Sequence, residues 1–160
     1  MRNAPDPVLD SVLRRNTAAL RELLAAGAPT ERRDKAGRTP LSNAVISESP
    51  EIAEMLLAGG AEVDASDNEG FTPLHHATRH HSAALVLLLV RAGALVDARD
   101  NFGNTPLSNA VFESRGRGEV IRTLLEAGAN QHATNRHGVS PRSLAASIAN
   151  YDILRHLPPG

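Results

Sequence analysis

Apolar residues fall along this chain in paired short bursts, and each pair is separated from the next by a polar stretch containing glycine. In the first burst of a pair, a leucine and an alanine stand three apart: Leu41 and Ala44, Leu74 and Ala77, Leu107 and Ala110. That spacing places both on one face of a short helix. The second burst also runs at helical spacing, as with Ile52, Met55 and Leu56 in residues 51–57. Each second burst closes on Leu-Leu-x-x-Gly-Ala or Leu-Val-x-x-Gly-Ala, at 23–28, 56–61, 89–94 and 124–129. Glycine accepts the left-handed conformation that ends a helix, so Gly60, Gly93 and Gly128 are predicted to end the second helices. The pattern predicts helix, turn, helix, then a projecting loop.

The pairs repeat in strict register. Thr39-Pro40-Leu41 recurs 33 residues later as Thr72-Pro73-Leu74 and again 33 later as Thr105-Pro106-Leu107, with Ser140-Pro141 following after 35. Threonine is a good N-cap, and proline is tolerated at the first helical position, so each Thr-Pro starts a helix. Ahead of each start stands a turn signal: Asp34-x-x-Gly37, Asp67-x-x-Gly70, Asp100-x-x-Gly103 and Asn135-x-x-Gly138. Aspartate followed by glycine three residues on makes a tight turn at a loop tip. Three markers with one period over nearly the whole chain cannot be chance.

The 33-residue period, the Thr-Pro-Leu start and the Gly-Ala-x-Val-Asp-Ala stretches at 60–65 and 93–98 resemble the ankyrin repeat. The resemblance implies an all-α solenoid whose first helices and hairpin loops line a concave face. It sets one domain over 1–160: an N-terminal capping repeat at 5–33, internal repeats at 34–66, 67–99 and 100–134, and a C-terminal capping repeat at 135–157. The first cap lacks Thr-Pro and is polar-faced, with Asp10, Arg14, Arg15, Arg21 and Glu22. In the last, Ser140-Pro141 starts one helix and residues 151–157 are expected to form a short second helix, stopped by Pro158-Pro159-Gly160. Caps are needed because a repeat buries its apolar face only against neighbours.

Composition narrows the chemistry. There is no cysteine, which excludes disulfides, thiolate catalysis and cysteine-ligated zinc. A net charge of -1 gives no overall pull towards nucleic acid or an anionic membrane. No apolar run is long enough to span a bilayer, and the opening MRNAPDPVLDSVLRRN has no signal-peptide core, so a cytoplasmic chain is expected. No phosphate-cradling glycine loop or nucleophile motif is present, and no cofactor is expected. His76 and His80 have i,i+4 spacing that suits a metal, but no carboxylate is spaced as a further ligand. Solvent-facing histidines are the default reading for His75, His76, His80 and His81, and no metal site is assigned.

What the resemblance implies is protein binding, without catalysis, through hairpin tips and the inner helices. Those positions carry Lys35, Arg38, Glu69, Phe71, Phe102, Asn104, Arg136 and His137 at the tips. Arg79, His80, Phe112 and Glu113 stand at the ends of first helices. Phe71, Phe102 and Phe112 are the chain's three phenylalanines, all at surface-lining positions, which suits contact anchors. The competing reading has Phe71 and Phe102 packing on adjacent loops. The basic residues suit an acidic protein patch better than a duplex.

Two departures from the family pattern stand out. The usual His-Leu after Thr-Pro-Leu is replaced by Ser42-Asn43, His75-His76 and Ser108-Asn109, so only His75 remains to tie neighbouring loops. Asn43, His76 and Asn109 then form a polar row, either satisfied within the stack or serving as the floor of a groove. The third repeat also carries a two-residue insertion within 114–118, where Arg115 and Arg117 sit in a longer, mobile, basic loop. The stretch 103–152 resembles a bacterial ankyrin type found in small single proteins, some of which are immunity or inhibitor proteins. The expected partner is accordingly another protein, a toxin or enzyme encoded nearby, bound by a chain that is monomeric alone. A scaffold that leaves its partner active is the alternative, and a metal-dependent role through residues 75–81 the third.

Overall fold

The computed structural model describes residues 6–148 and 152–159. Among them are nine short α-helices in four pairs and a single. These are α1 (Pro7–Leu13) with α2 (Thr17–Ala25), α3 (Pro40–Ile46) with α4 (Pro50–Ala58), α5 (Pro73–Arg79) with α6 (Ala83–Arg91), α7 (Pro106–Glu113) with α8 (Glu119–Glu126), and α9 (Pro141–Ser147). The first helices α1, α3, α5, α7 and α9 pack in sequence as one row, and α2, α4, α6 and α8 as a second. No strand occurs among the described residues. This is the all-α solenoid that the repeat markers predict.

Local chemistry starts and stops each helix. The Thr39, Thr72 and Thr105 side chains accept from the backbone N–H three residues on, and proline fills the next position. Asp6-Pro7 does the same for α1, its carboxylate accepting from Leu9 N at 2.8 Å. The first cap therefore has its own version of the Thr-Pro start, which the sequence pattern did not single out. The second helices close on Gly60, Gly93 and Gly128 at φ near +90°. Leu41, Leu74 and Leu107 of the first row and Leu20, Leu56, Leu89 and Leu124 of the second are wholly buried. Burying each such side chain is worth roughly 2–3 kcal/mol.

Polar ladders join the repeats along their edges. Glu31 accepts from Glu62 N, Asp64 from Leu95 N and Asp97 from Asn130 N, at 3.0–3.2 Å. A second ladder runs along the turns between paired helices. Arg15, Glu48, His81 and Arg115 hold positive φ there without being glycine. Arg15 donates to Ser47 O, Glu48 sits 3.5 Å from His80, and His81 Nε2 donates to Glu113 O. Each of these contacts ties a strained turn to the next repeat, which offsets the cost of a left-handed side-chain-bearing residue.

The C-terminal cap corrects one expectation. Its second segment is a single 3-10 turn at Leu154–His156, and Tyr151 lies outside the described residues. Pro158 cannot donate back to Leu154 O, and the residue before a proline is pushed out of the helical region: Leu157 is extended at φ -103°, ψ 140°. Ile153 and Leu157 still bury against the stack. The insertion in the third repeat meets this turn: His156 Nε2 bonds Gly116 O at 3.3 Å, and Arg117 N donates to Ser114 O at 2.8 Å.

Candidate functional site

Each of the first three hairpin tips is built by one carboxylate, and the last by the Asn135 amide oxygen. Asp67 Oδ1 accepts from Glu69 N and Phe71 N, both at 3.0 Å, and Asp100 Oδ1 accepts from Phe102 N and Asn104 N at 2.8 Å. Successive tips then bond backbone to backbone: Asn68 N to Ala36 O, Asn101 N to Glu69 O, and Arg136 N to Phe102 O. The tips thus form a rigid edge beside the first-helix row.

The polar row splits in a way that the sequence did not resolve. Asn43 Nδ2 donates to Asp34 Oδ2 at 3.2 Å and to Thr39 O at 3.1 Å. His76 Nε2 meets Asp67 Oδ2 at 3.0 Å. Both are buried and satisfied within the repeat. In the third repeat, Asn104 Nδ2 takes the equivalent Asp100 oxygen at 3.1 Å, and Asn109 Nδ2 has no acceptor. The tip residue decides this outcome, because Phe71 at the matching position has no donor and leaves Asp67 to His76. Satisfaction within the stack therefore describes two members of the row, and the third borders open space.

The histidines correct a second expectation. His75 and His76 are buried rather than solvent-facing. Thr72 N donates to His75 Nδ1 at 3.2 Å, so the proton sits on Nε2, which donates to Asn104 O of the next hairpin at 3.2 Å. His75 is the inter-repeat tie expected of it. Burial pushes both pKa values down, that of His76 to about 4, so both rings are neutral at pH 7. His81 is also shifted down, chiefly by burial. With His76 committed to Asp67 and His80 beside Glu48, the i,i+4 pair does not converge. Among the described residues no three His, Asp or Glu side chains come together as a metal site requires.

Two adjoining cavities lie between the hairpin edge and the first-helix row. One, of about 310 Å³, is lined by Glu69, Phe71, Arg79, Asp100, Phe102, Asn104, Asn109, Phe112 and Glu113. The other, of about 480 Å³, is lined by Asn104, Ser108, Asn109, Phe112, Asn135, His137, Val139 and Leu144. They share Asn104, Asn109 and Phe112, and together make one trough from α5 to α9. Of the surface residues expected from sequence, Glu69, Phe71, Arg79, Phe102, Asn104, Phe112, Glu113 and His137 line this trough. Lys35, Arg38, His80, Arg115, Arg117 and Arg136 line neither cavity. Arg38 is half-buried, its Nε 3.9 Å from Asp67 Oδ2.

The three phenylalanines are not equivalent. Phe102 is 57% exposed and Phe112 68%. Phe71 is half-buried, its ring 5.7 Å from those of His75 and His76, with the Arg79 guanidinium 5.2 Å from its centroid. Phe71 roofs the buried histidines, whereas Phe102 and Phe112 are free apolar surface. Sequence reasoning passed over Leu144 and Asn135 as lining residues. Asn135 carried a signal, since it stands where the other tips have aspartate. Its Nδ2 donates to Asn104 Oδ1 at 2.8 Å across the trough wall.

Comparison with known proteins agrees with this geometry. No curated protein matches the chain. A family model described as ankyrin repeats (3 copies) matches residues 9–100 and 61–135. Such repeats indicate a protein–protein interaction module. On the matched span, the helix pairs and the linked hairpin edge, this chain belongs to the ankyrin-repeat family.

Proposed function

We propose that this chain is a non-catalytic binding module that seats a partner protein in the trough between its hairpin tips and first helices. The observation that carries this reading is the pair Phe102 and Phe112, exposed by 57% and 68% on the trough walls. Exposed aromatic side chains beside open concave space are the usual anchors of an interface. Of the titratable groups near them, His75, His76, Asp67 and Asp100 serve the fold through hydrogen bonds within the tips and between repeats.

Within that reading, the partner is a toxin or enzyme encoded nearby, and the chain acts as an immunity or inhibitor protein that is monomeric until bound. A native pull-down with mass spectrometry identifies the partner, and its activity is then measured with and without one equivalent of the chain. Inhibition on one-to-one binding supports the inhibitor role. A partner that binds with undiminished activity assigns the chain as a scaffold.

A further inference from the structure

We infer that the trough is built for an extended segment of the partner that presents an arginine or lysine beside an apolar side chain; this rests on the protein-binding reading above. The smaller cavity is lined by Glu69 and Glu113 and by Asp100, whose oxygens its own hairpin tip engages, so two free carboxylates stand against one guanidinium, Arg79. Arg79 is drawn over the Phe71 ring, and no ion pair engages Glu69 or Glu113 among the described residues. The exposed Phe102 and Phe112 rings stand on the same cavity. Carboxylates with aromatic faces suit a cation, which gains both charge pairing and ring contact.

The larger cavity differs in kind. Phe112, Val139 and Leu144 supply apolar walls, and no carboxylate lines it. It suits an apolar side chain. Because the cavities adjoin across Asn104, Asn109 and Phe112, their occupants must be close neighbours in the partner. Side chains at i and i+2 of an extended chain lie on one side, about 6.6 Å apart along the strand. Asn109 stands between the two cavities with an amide nitrogen lacking an acceptor. It is the row member whose amide gives up no bond in meeting a carbonyl oxygen of the incoming backbone.

This charge assignment reverses the one drawn from sequence alone, which counted Lys35, Arg38, Arg79, Arg115, Arg117 and Arg136 together and favoured an acidic partner. Five of those six lie outside both cavities. The acidic residues stay where a ligand would sit.

Displayed random 12-residue peptides selected on the full chain test the proposal, with a single selected peptide then titrated into isotopically labelled protein. The expected selection carries Arg or Lys two residues from Leu, Ile, Val, Met or Phe. Titration should move the Asn109 side-chain amide resonance, and the double variant Glu69→Gln/Glu113→Gln should weaken binding at least tenfold. Arg91→Gln, on the outer helix α6, should leave it within twofold. Acidic selected peptides, or resonance shifts confined to the outer helices, would overturn the inference while leaving a protein-binding chain. Failure to enrich any sequence would overturn both this inference and the binding reading on which it rests.

Discussion

Coupling between repeats should be separable from local backbone strain by comparing two glycines. Gly70 and Gly93 both hold left-handed backbone, at φ +82° and +89°. A methyl group at Gly93 meets nothing within 4 Å, whereas one at Gly70 would lie 2.7 Å from Asn101 N in the next hairpin. Gly93→Ala therefore costs only the conformational strain, about 1 kcal/mol. Gly70→Ala adds displacement of the neighbouring tip. That displacement breaks the bond from Asn101 N to Glu69 O and the bond from Asn101 Nδ2 to Asn68 O. At about 1 kcal/mol for each bond, the total for Gly70→Ala is about 3 kcal/mol. Urea unfolding followed by circular dichroism measures both, with the slope checked for constancy. Equal losses for the two variants would refute the claim that the tips are coupled through their backbones.

Further predictions address the polar row and the aromatic residues. Burial holds His76 at a pKa of about 4, below the unfolded value of 6.5, so the unfolded chain takes up the proton first. Its contribution is complete above about pH 6.5 and is lost as pH falls towards 4, by about 3 kcal/mol in full; His76→Asn, which copies Asn43, should flatten that slope in urea titrations. Asn109→Leu should raise stability by about 1 kcal/mol, because it removes an amide without an acceptor, and Asn43→Leu should lower it, because Asp34 Oδ2 then loses the Asn43 amide; thermal melts check the opposite signs. Phe71→Ala should cost about 2–3 kcal/mol of folding stability through lost packing on His75 and His76, and Phe102→Ala under about 0.5 kcal/mol, again by urea unfolding.

The helices, their order and their ends were legible because the signals that set them are local. Thr-Pro starts, Gly-Ala stops and Asp-x-x-Gly turns each act within four residues, and the 33-residue register multiplied them. The tip positions were legible for the same reason, and Phe102, Asn104 and Glu69 from the tips line the trough, as does Phe112 near the end of α7. What escaped were properties set by contacts beyond that four-residue reach. The burial of His75 depends on a carbonyl at Asn104, and the incomplete bonding of Asn109 depends on which residue follows Gly103. The charge along the trough escaped as well, because of the basic residues grouped from the sequence only Arg79 lines either cavity. The C-terminal turn failed for a local reason that was available: Pro158 offers no donor to Leu154 O and disfavours a helical Leu157.

The central claim is that binding runs through the trough between tips and first helices. It is tested most directly by the affinity of the partner captured from the native source for two variants of the full chain. Phe102→Ala/Phe112→Ala strips both trough walls, while Leu87→Ala removes a 40% exposed side chain from the outer helix α6. With each anchor worth about 1–3 kcal/mol, the double variant should lose about 30-fold or more by titration calorimetry. Leu87→Ala should remain within twofold of the parent. Undiminished affinity in the trough variant, or a loss confined to Leu87→Ala, would contradict the account.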